Sequence, residues 1–73
     1  MISIAGFTPR ENEVLHWIAE GKRNREIGSI LGLSTRTVGK HLEHVFEKLG
    51  VENRTAAARV AFETTRDDAI NHD

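Results

Sequence analysis

Positively charged side chains concentrate in one segment of the chain, where they could neutralise the phosphates of a nucleic acid. Residues 22–40 carry five Lys or Arg side chains against Glu26 alone, a formal charge of +4, although the whole chain of 73 residues carries −1. Residues 1–21 and 41–73 are net acidic. Because phosphate contacts depend on Lys and Arg, this local excess favours DNA binding. The other interpretation is ordinary surface charge that clusters by chance.

Within this region, residues 24–43 have the residue spacing of a helix-turn-helix. Ile27 and Leu31 lie one helical turn apart, and Gly32 stands where the chain must leave a helix in a left-handed conformation. Ser34 can cap the next helix by accepting a hydrogen bond from an unpaired backbone N–H group. A helix pair of this kind can place its second helix in the major groove of DNA.

The second helix of the pair, predicted at about 35–49, carries the side chains that could contact base edges. Steps of 100° per residue from Val38 place its apolar residues on one side of the helix. Arg and Lys can donate to guanine, and Glu can accept from cytosine. For Glu43, a solvated acid paired with Lys40 or Arg36 is an equally open interpretation. The predicted base contacts, all in the first half of the helix, are Arg36, Thr37, Lys40 and Glu43.

Phosphates are expected at the starts of the second and third helices, where unpaired backbone N–H groups attract anions. Asn24 and Ser34 could instead be simple helix caps, and Lys22 could be a solvated surface residue. The predicted phosphate contacts are Lys22, Arg23, Asn24, Arg25, Ser34 and Thr35.

Helix signals on both sides of the motif complete an all-α prediction. Thr8-Pro9-Arg10-Glu11 has the form of a capping box with proline at the first helical position. Asn24 and Asn53 are candidate caps of the second and fourth helices. The polar tail 65–73 is expected to fray. The four helices are predicted at about 9–20, 25–31, 35–49 and 54–64.

Composition argues against several other classes of protein. Cysteine is absent, which excludes disulfides and thiolate zinc sites, and no apolar run is long enough to span a membrane. The N-terminus lacks the features of a secretory signal, so a cytoplasmic location is expected. His41, His44 and Glu47 share one helix, but their spacing is a weak indication of metal binding. We therefore expect no metal, no cofactor and no enzymatic activity.

The combined motifs resemble the LuxR-type (GerE-type) helix-turn-helix domain, found in the output domains of NarL/FixJ-like response regulators and in quorum sensors. The similarity covers about residues 5–64. The stretches that carry it are Phe7-Thr8-Pro9-Arg10-Glu11, Glu13-Val14-Leu15, Ala19-Glu20-Gly21-Lys22, Asn24-Arg25-Glu26-Ile27, Leu31-Gly32-Leu33-Ser34, Thr37-Val38, His41-Leu42, Lys48-Leu49-Gly50-Val51 and Asn53-Arg54-Thr55-Ala56-Ala57.

This resemblance implies a four-helix domain that binds double-stranded promoter DNA as a homodimer and regulates transcription, with RNA polymerase as a further partner. It also implies a link to two-component signalling. In this family the helix after the recognition helix commonly carries the dimer contact, although an alanine-rich face could equally be core. The residues this nominates are Ala57, Val60 and Ala61.

Three residues depart from common members of the family. Gly39 follows Thr-Val where many members have lysine or another polar residue, and Glu43 follows His-Leu where a basic or small polar residue is frequent. Glu47 adds an acid one turn further on. These departures indicate either a different preferred DNA site or weakened DNA binding. The second case leaves open a protein-interaction module that docks on a transcription partner.

Overall fold

The computed structural model describes residues 6–71, with side chains for residues 6–64. Its elements are α1 (Pro9–Ala19), α2 (Asn24–Leu31), α3 (Thr35–Leu49) and α4 (Arg54–Asn71). The described backbone contains no strand, which confirms the all-α prediction. Residue 5, the predicted start of the domain, lies outside the described residues.

α1 begins with the capping box that its sequence predicts. The Thr8 hydroxyl accepts a hydrogen bond from the Glu11 backbone N–H at 3.1 Å, and Glu11 Oε1 accepts one from the Thr8 N–H at 2.8 Å. Pro9 occupies the first turn, where its missing N–H leaves no intrahelical bond unmade. Two N–H groups that the helix itself cannot satisfy are therefore paired.

Glu11 also joins the start of α1 to the end of α3. Its side chain is only 4% exposed, and Lys48 Nζ donates to its Oε1 at 2.6 Å. The same ammonium donates to the Gly6 carbonyl at 3.0 Å and lies 5.4 Å from the centre of the Phe7 ring. Lys48 therefore ties the chain before α1 and the first turn of α1 to the last turn of α3.

The hydrophobic core lies where α1 contacts both α3 and α4, and α2 completes it by packing on α3. Two clusters of buried side chains form it, and the partly buried Phe46 packs against both. So small a core gives a free energy of unfolding of a few kcal/mol at most, in the range of about 3–5 kcal/mol. The buried apolar residues are Val14, Leu15, Ile18, Ile27, Val38, Leu42, Val45, Ala57 and Ala61.

The start of α2 differs from its prediction. Asn24 is the first residue of the helix rather than its cap, and Arg23 occupies the cap position. The Arg23 backbone N–H donates to Glu26 Oε1 at 2.9 Å. The Asn24 side chain turns to a different partner, the guanidinium of Arg54, so it does not cap the helix.

The fourth helix is longer than predicted, because it continues to Asn71 instead of ending near residue 64. Neither glycine nor proline occurs between residues 65 and 71, so nothing in the sequence interrupts the helical backbone there. The side chains of residues 65–71, and all of residues 72–73, lie outside the described part of the chain. The predicted start is confirmed: Asn53 Oδ1 accepts from the Ala56 N–H at 2.9 Å.

Two of the three predicted dimer residues belong to the core of the monomer. Ala57 and Ala61 are 0% exposed, and Ala61 packs with Leu15 and Val45. Their small side chains allow α4 to approach α1 closely, and neither has exposed surface in the monomer to offer a second copy. Val60 is partly exposed, and its role in a dimer stays a prediction.

None of the helices within residues 6–71 combines the length and the apolar character that crossing a membrane requires.

The buried carboxylate of Glu11 predicts how stability depends on pH. The hydrogen bond from Lys48, followed by that from the Thr8 N–H, holds the pKa of Glu11 below its ordinary value of 4.5. A carboxyl whose pKa is lower in the folded state stabilises the fold above its unfolded pKa, and this contribution is lost as the pH falls through the folded pKa. At neutral pH we expect Glu11→Gln to lower the free energy of unfolding by about 1.5–3 kcal/mol.

Denaturant unfolding followed by circular dichroism between pH 3 and 7 measures this difference. The difference in the free energy of unfolding between the wild type and Glu11→Gln should become smaller below pH 4.5. Glu13→Gln is the matched control, because Glu13 forms only a loose 3.6 Å surface pair with Arg10 that contributes little. A Glu11→Gln variant that remains as stable as the wild type at pH 7 would contradict the assigned role.

Candidate nucleic-acid interface

The geometry of the helix pair is set where α2 ends and α3 begins. The chain leaves α2 through Gly32, whose φ is +72°, and the Leu33 N–H donates to the Gly28 carbonyl at 2.8 Å. A Cβ atom at Gly28 would lie only 2.5 Å from the Leu33 carbonyl oxygen. Because any side chain there would push this backbone away, Gly28 is required for the close approach of the turn to α2.

The first turn of α3 is fixed by the predicted cap. The Ser34 hydroxyl accepts from the Thr37 backbone N–H at 3.0 Å and donates to the Thr37 hydroxyl at 2.9 Å. Ser34 and Thr35 are exposed, while Thr37 is partly buried. Of the predicted contacts in this turn, Ser34 and Thr37 are thus held by each other, and Thr35 faces solvent.

α3 separates a buried side from a charged one. Val38, Leu42 and Val45 lie in the core. Arg36 and Lys40 are exposed one turn apart, on the side of the helix that points away from the core. The structure therefore brings the two predicted base-contacting cations together on one outward face, as their spacing predicts.

Glu43 is exposed on the same outward face, about one turn beyond Lys40. Among the described side chains it forms no ion pair, so the pairing with Lys40 or Arg36 that the sequence left open is not present. Its carboxylate is left available to a hydrogen-bond donor from outside the chain.

The second half of α3 is acidic, and this limits how far the cationic surface extends. A shallow groove runs beside it, with a floor formed by Phe46 and Val51. The polar side chains that line the groove are Glu43, His44, Glu47 and Glu52. Because like charges repel, the phosphates of a nucleic acid are favoured only along the first half of the helix.

At the start of α2, a partly buried cation that the sequence analysis missed organises the predicted phosphate contacts. The guanidinium of Arg54 donates through one nitrogen to Asn24 Oδ1 and through the other to the Lys22 carbonyl. Burial, and then the nearby charge of Arg23, lower the pKa of Arg54. Arg54 thus holds the first turn of α4 against the first turn of α2. We call these two hydrogen bonds of Arg54 the Arg54 clamp.

This clamp changes what two of the predicted phosphate contacts can do. The Asn24 side-chain oxygen is engaged with Arg54, which leaves its backbone N–H for a phosphate. Lys22 contributes its carbonyl to the clamp, so its ammonium is not used by it. Arg23 and Arg25 are exposed beside it. Only the quoted motif Asn53-Arg54-Thr55 could have drawn attention to Arg54, and that motif says nothing about its partner.

Gly39 interrupts the outward part of α3 with a position that has no side chain. Apart from its two chain neighbours and the nearby backbone of α3, a Cβ atom at Gly39 would meet no other atom within 4 Å. Its φ is not positive, so the backbone does not require glycine. Glycine in a helix interior costs about 0.8–1.0 kcal/mol relative to alanine, so the folded chain gains nothing from it.

The weak metal hypothesis finds no support in the geometry. Within the described residues, no three His, Cys, Asp or Glu side chains are grouped so that they could hold a metal ion. His41, His44 and Glu47 share α3 without forming such a group.

Comparison with known proteins identifies the type of domain. A family model described as bacterial regulatory proteins, luxR family, matches residues 5–61. Transcriptional activator protein YukR of Yersinia ruckeri is 52% identical over 56 residues, which are 77% of this chain and 24% of that protein. Transcriptional activator protein ExpR of Dickeya dadantii is 49% identical over 57 residues, 78% of this chain and 23% of that protein.

A third relative, transcriptional activator protein EsaR of Pantoea stewartii subsp. stewartii, is 47% identical over 57 residues, again 78% of this chain and 23% of that protein. The chain therefore spans less than a quarter of the length of these curated relatives.

The Arg54 clamp predicts a local effect on α2. Arg54→Lys keeps the charge but cannot donate to both acceptors in the same fork geometry. We expect its free energy of unfolding to fall by about 1–3 kcal/mol, with faster amide hydrogen exchange at the start of α2. Arg59→Lys is the matched control, because Arg59 is exposed on the same helix. Equal exchange rates in both variants would show that Arg54 does not position α2.

Proposed function

The chain belongs to the luxR family of bacterial regulatory proteins, and we propose that α3 recognises a specific promoter sequence in the major groove of DNA. The function class is DNA-binding transcription regulation, and both the family and the relatives are regulators rather than enzymes. The observation that carries the finer proposal is the exposed pair of Arg36 and Lys40 on a helix whose opposite side is core.

Base recognition is assigned to residues 36–43 of α3. Arg36 and Lys40 are long enough to donate to guanine O6 and N7, and Glu43 has a free carboxylate to accept from cytosine N4. Thr37 lies at the edge of this surface, oriented by Ser34. Since the acidic second half of the helix repels phosphates, the helix is inserted through its N-terminal part, as is usual for recognition helices.

Phosphate contacts are assigned to the two helix starts. Arg23 and Arg25 are exposed at the start of α2, where the unpaired N–H groups of the helix favour an anion. Lys22 and Asn24, which both bond to Arg54, lie next to these two arginines. Ser34 and Thr35 are the proposed phosphate contacts at the start of α3. These contacts fix the position of α3 on the duplex without specifying sequence.

We further propose that two copies associate through α4. Val60 is partly exposed, and Phe62 presents an aromatic ring that is 56% exposed. A large apolar side chain on an outward helix face is a natural contact for a second identical helix. Two copies related by a twofold axis would then bind two half-sites about one helical turn of DNA apart.

The wider role is part of the same proposal. The relatives are named transcriptional activators. We propose that this chain acts on promoter DNA in the cytoplasm, with RNA polymerase as a further partner. The names of these relatives do not mention a response regulator, so a link to two-component signalling rests on the resemblance of the motifs alone.

Docking on a protein partner with little DNA affinity is the competing proposal, and the acids Glu43 and Glu47 are the feature that favours it. Salt distinguishes the two. A DNA complex with several phosphate contacts loses affinity steeply as salt rises, because bound counterions are released on association. If the domain docks on a protein instead, a DNA titration should show little binding at any salt concentration, so no steep salt dependence of DNA affinity is expected.

Removal of either outward cation tests the assigned face. We expect Arg36→Ala and Lys40→Ala each to weaken binding to a selected DNA site by about 1–3 kcal/mol, because each loses donors to base edges. Fluorescence anisotropy on sites selected from random duplexes measures the loss, and circular dichroism confirms unchanged helix content. Arg10→Ala removes the same charge from α1 and should bind nearly as the wild type does. If Arg36→Ala and Lys40→Ala bind the selected site as tightly as Arg10→Ala and the wild type do, the assignment of this face to base contacts is refuted.

The dimer proposal is tested at the exposed ring. Phe62→Glu places a charge where two copies would meet, and we expect it to raise the dimer dissociation constant by about 10-fold or more, since an unpaired charge in an apolar contact is costly. Sedimentation equilibrium measures the change. Because Phe62 is exposed, the monomer should stay folded, and Glu63→Gln at the neighbouring exposed position is the control. An unchanged dimer in Phe62→Glu would remove α4 from this role.

A further inference from the structure

The missing side chain at Gly39 leaves a gap in the outward surface of α3, which we call the Gly39 notch. Helical spacing places Thr35 and Arg36 one turn before it and Glu43 one turn after it. These three residues are exposed and Gly39 itself is partly exposed, whereas Leu42 on its other side is buried. Because nothing fills the space where a Cβ atom would be, the notch opens to solvent beside the proposed base contacts. Side chains flank it, and only the helix backbone forms its floor.

The fold itself does not account for this glycine. Gly28 is required by a close backbone contact, and Gly32 by a positive φ. Gly39 has neither: its φ is ordinary, and a Cβ atom would meet nothing within 4 Å beyond the helix's own backbone. Since glycine destabilises a helix interior, the reason for it lies in something that approaches from outside the chain.

The chemistry of the notch limits what that group can be. Within a helix the backbone N–H and C=O groups bond to one another, so the floor offers only the C–H groups of glycine and no free donor or acceptor. A polar group pressed into it would lose its hydrogen bonds to water without replacement. A small apolar group fits. On the base edges of the major groove, the apolar group that projects is the 5-methyl of thymine.

We propose that the Gly39 notch is a specificity-determining feature that accepts the 5-methyl group of a thymine, an inference that rests on the proposed function of α3. The bare backbone allows the base pair to come closer than any side chain would permit. Arg36 and Glu43 then bind the polar edges of neighbouring bases while the methyl group fills the space between them. The notch thereby adds a thymine to a site otherwise recognised through charged side chains.

The test combines a protein change with a DNA change. The wild-type site is first selected from random duplexes, and each thymine in a half-site is then replaced singly by deoxyuridine, which lacks only the methyl group. We expect Gly39→Ala to weaken binding to the all-thymine site by about 5- to 150-fold, the usual range for loss of one base contact. At one thymine position, deoxyuridine should restore most of that loss in Gly39→Ala while weakening wild-type binding.

Stability separates this effect from misfolding. Because alanine favours the helix and has room, Gly39→Ala should raise the melting midpoint by about 3–8 °C while it weakens DNA binding. His44→Ala is the matched control: it also introduces alanine at an exposed position of α3, but in the acidic half. It should bind thymine and deoxyuridine duplexes with the same pattern as the wild type.

The outcomes distinguish the notch from the proposed function. A wild type that enriches no sequence overturns both. An enriched site that Gly39→Ala binds as tightly as the wild type overturns the notch alone. A loss in Gly39→Ala that no single deoxyuridine relieves, or a half-site without thymine, also overturns it, while the DNA-binding function stands.

Discussion

The close contact between the α2 backbone and the turn that follows it determines the arrangement of the whole DNA-binding surface. Gly28 has no side chain, and the Leu33 carbonyl oxygen lies only 2.5 Å from the place where a Cβ atom would be. This contact fixes α3 relative to α2. It thereby fixes the position of Arg36 and Lys40 relative to the proposed phosphate contact at Arg25. Base contacts need this rigidity, because a hydrogen bond to a base edge tolerates little displacement.

A small core needs support from polar contacts between its elements, and two cations provide it. Lys48 links the end of α3 to the buried Glu11 of α1, and Arg54 links the start of α4 to the start of α2. Hydrogen bonds to charged groups are stronger than neutral ones, and here they join the ends of different helices. These cations are separate from the outward pair on α3. The fold is therefore stabilised by positive charges other than the two that we propose contact DNA.

Local features of the structure follow from the sequence, whereas its long-range polar contacts do not. The capping box at Thr8, the cap at Ser34 and the buried side of α3 each depend on residues within a few positions of one another, and simple periodicity predicts them. The pairs Lys48–Glu11 and Arg54–Asn24 span 37 and 30 residues, and no spacing rule connects them.

The same reason explains why local sequence signals alone do not settle the roles of some residues. Asn24 has the right type and place for a cap, but a distant guanidinium takes its side chain. Ala57 and Ala61 suit either a dimer contact or a core, and only the packing of α1 against α4 decides between them. At Gly39 the conflict is of another kind, since neither local propensity nor tertiary packing favours glycine there. When helix propensity and tertiary packing both favour another residue, the constraint on that position acts from outside the folded chain. On the outward face of α3, beside Arg36 and Glu43, the constraint that we propose is the shape of a bound duplex.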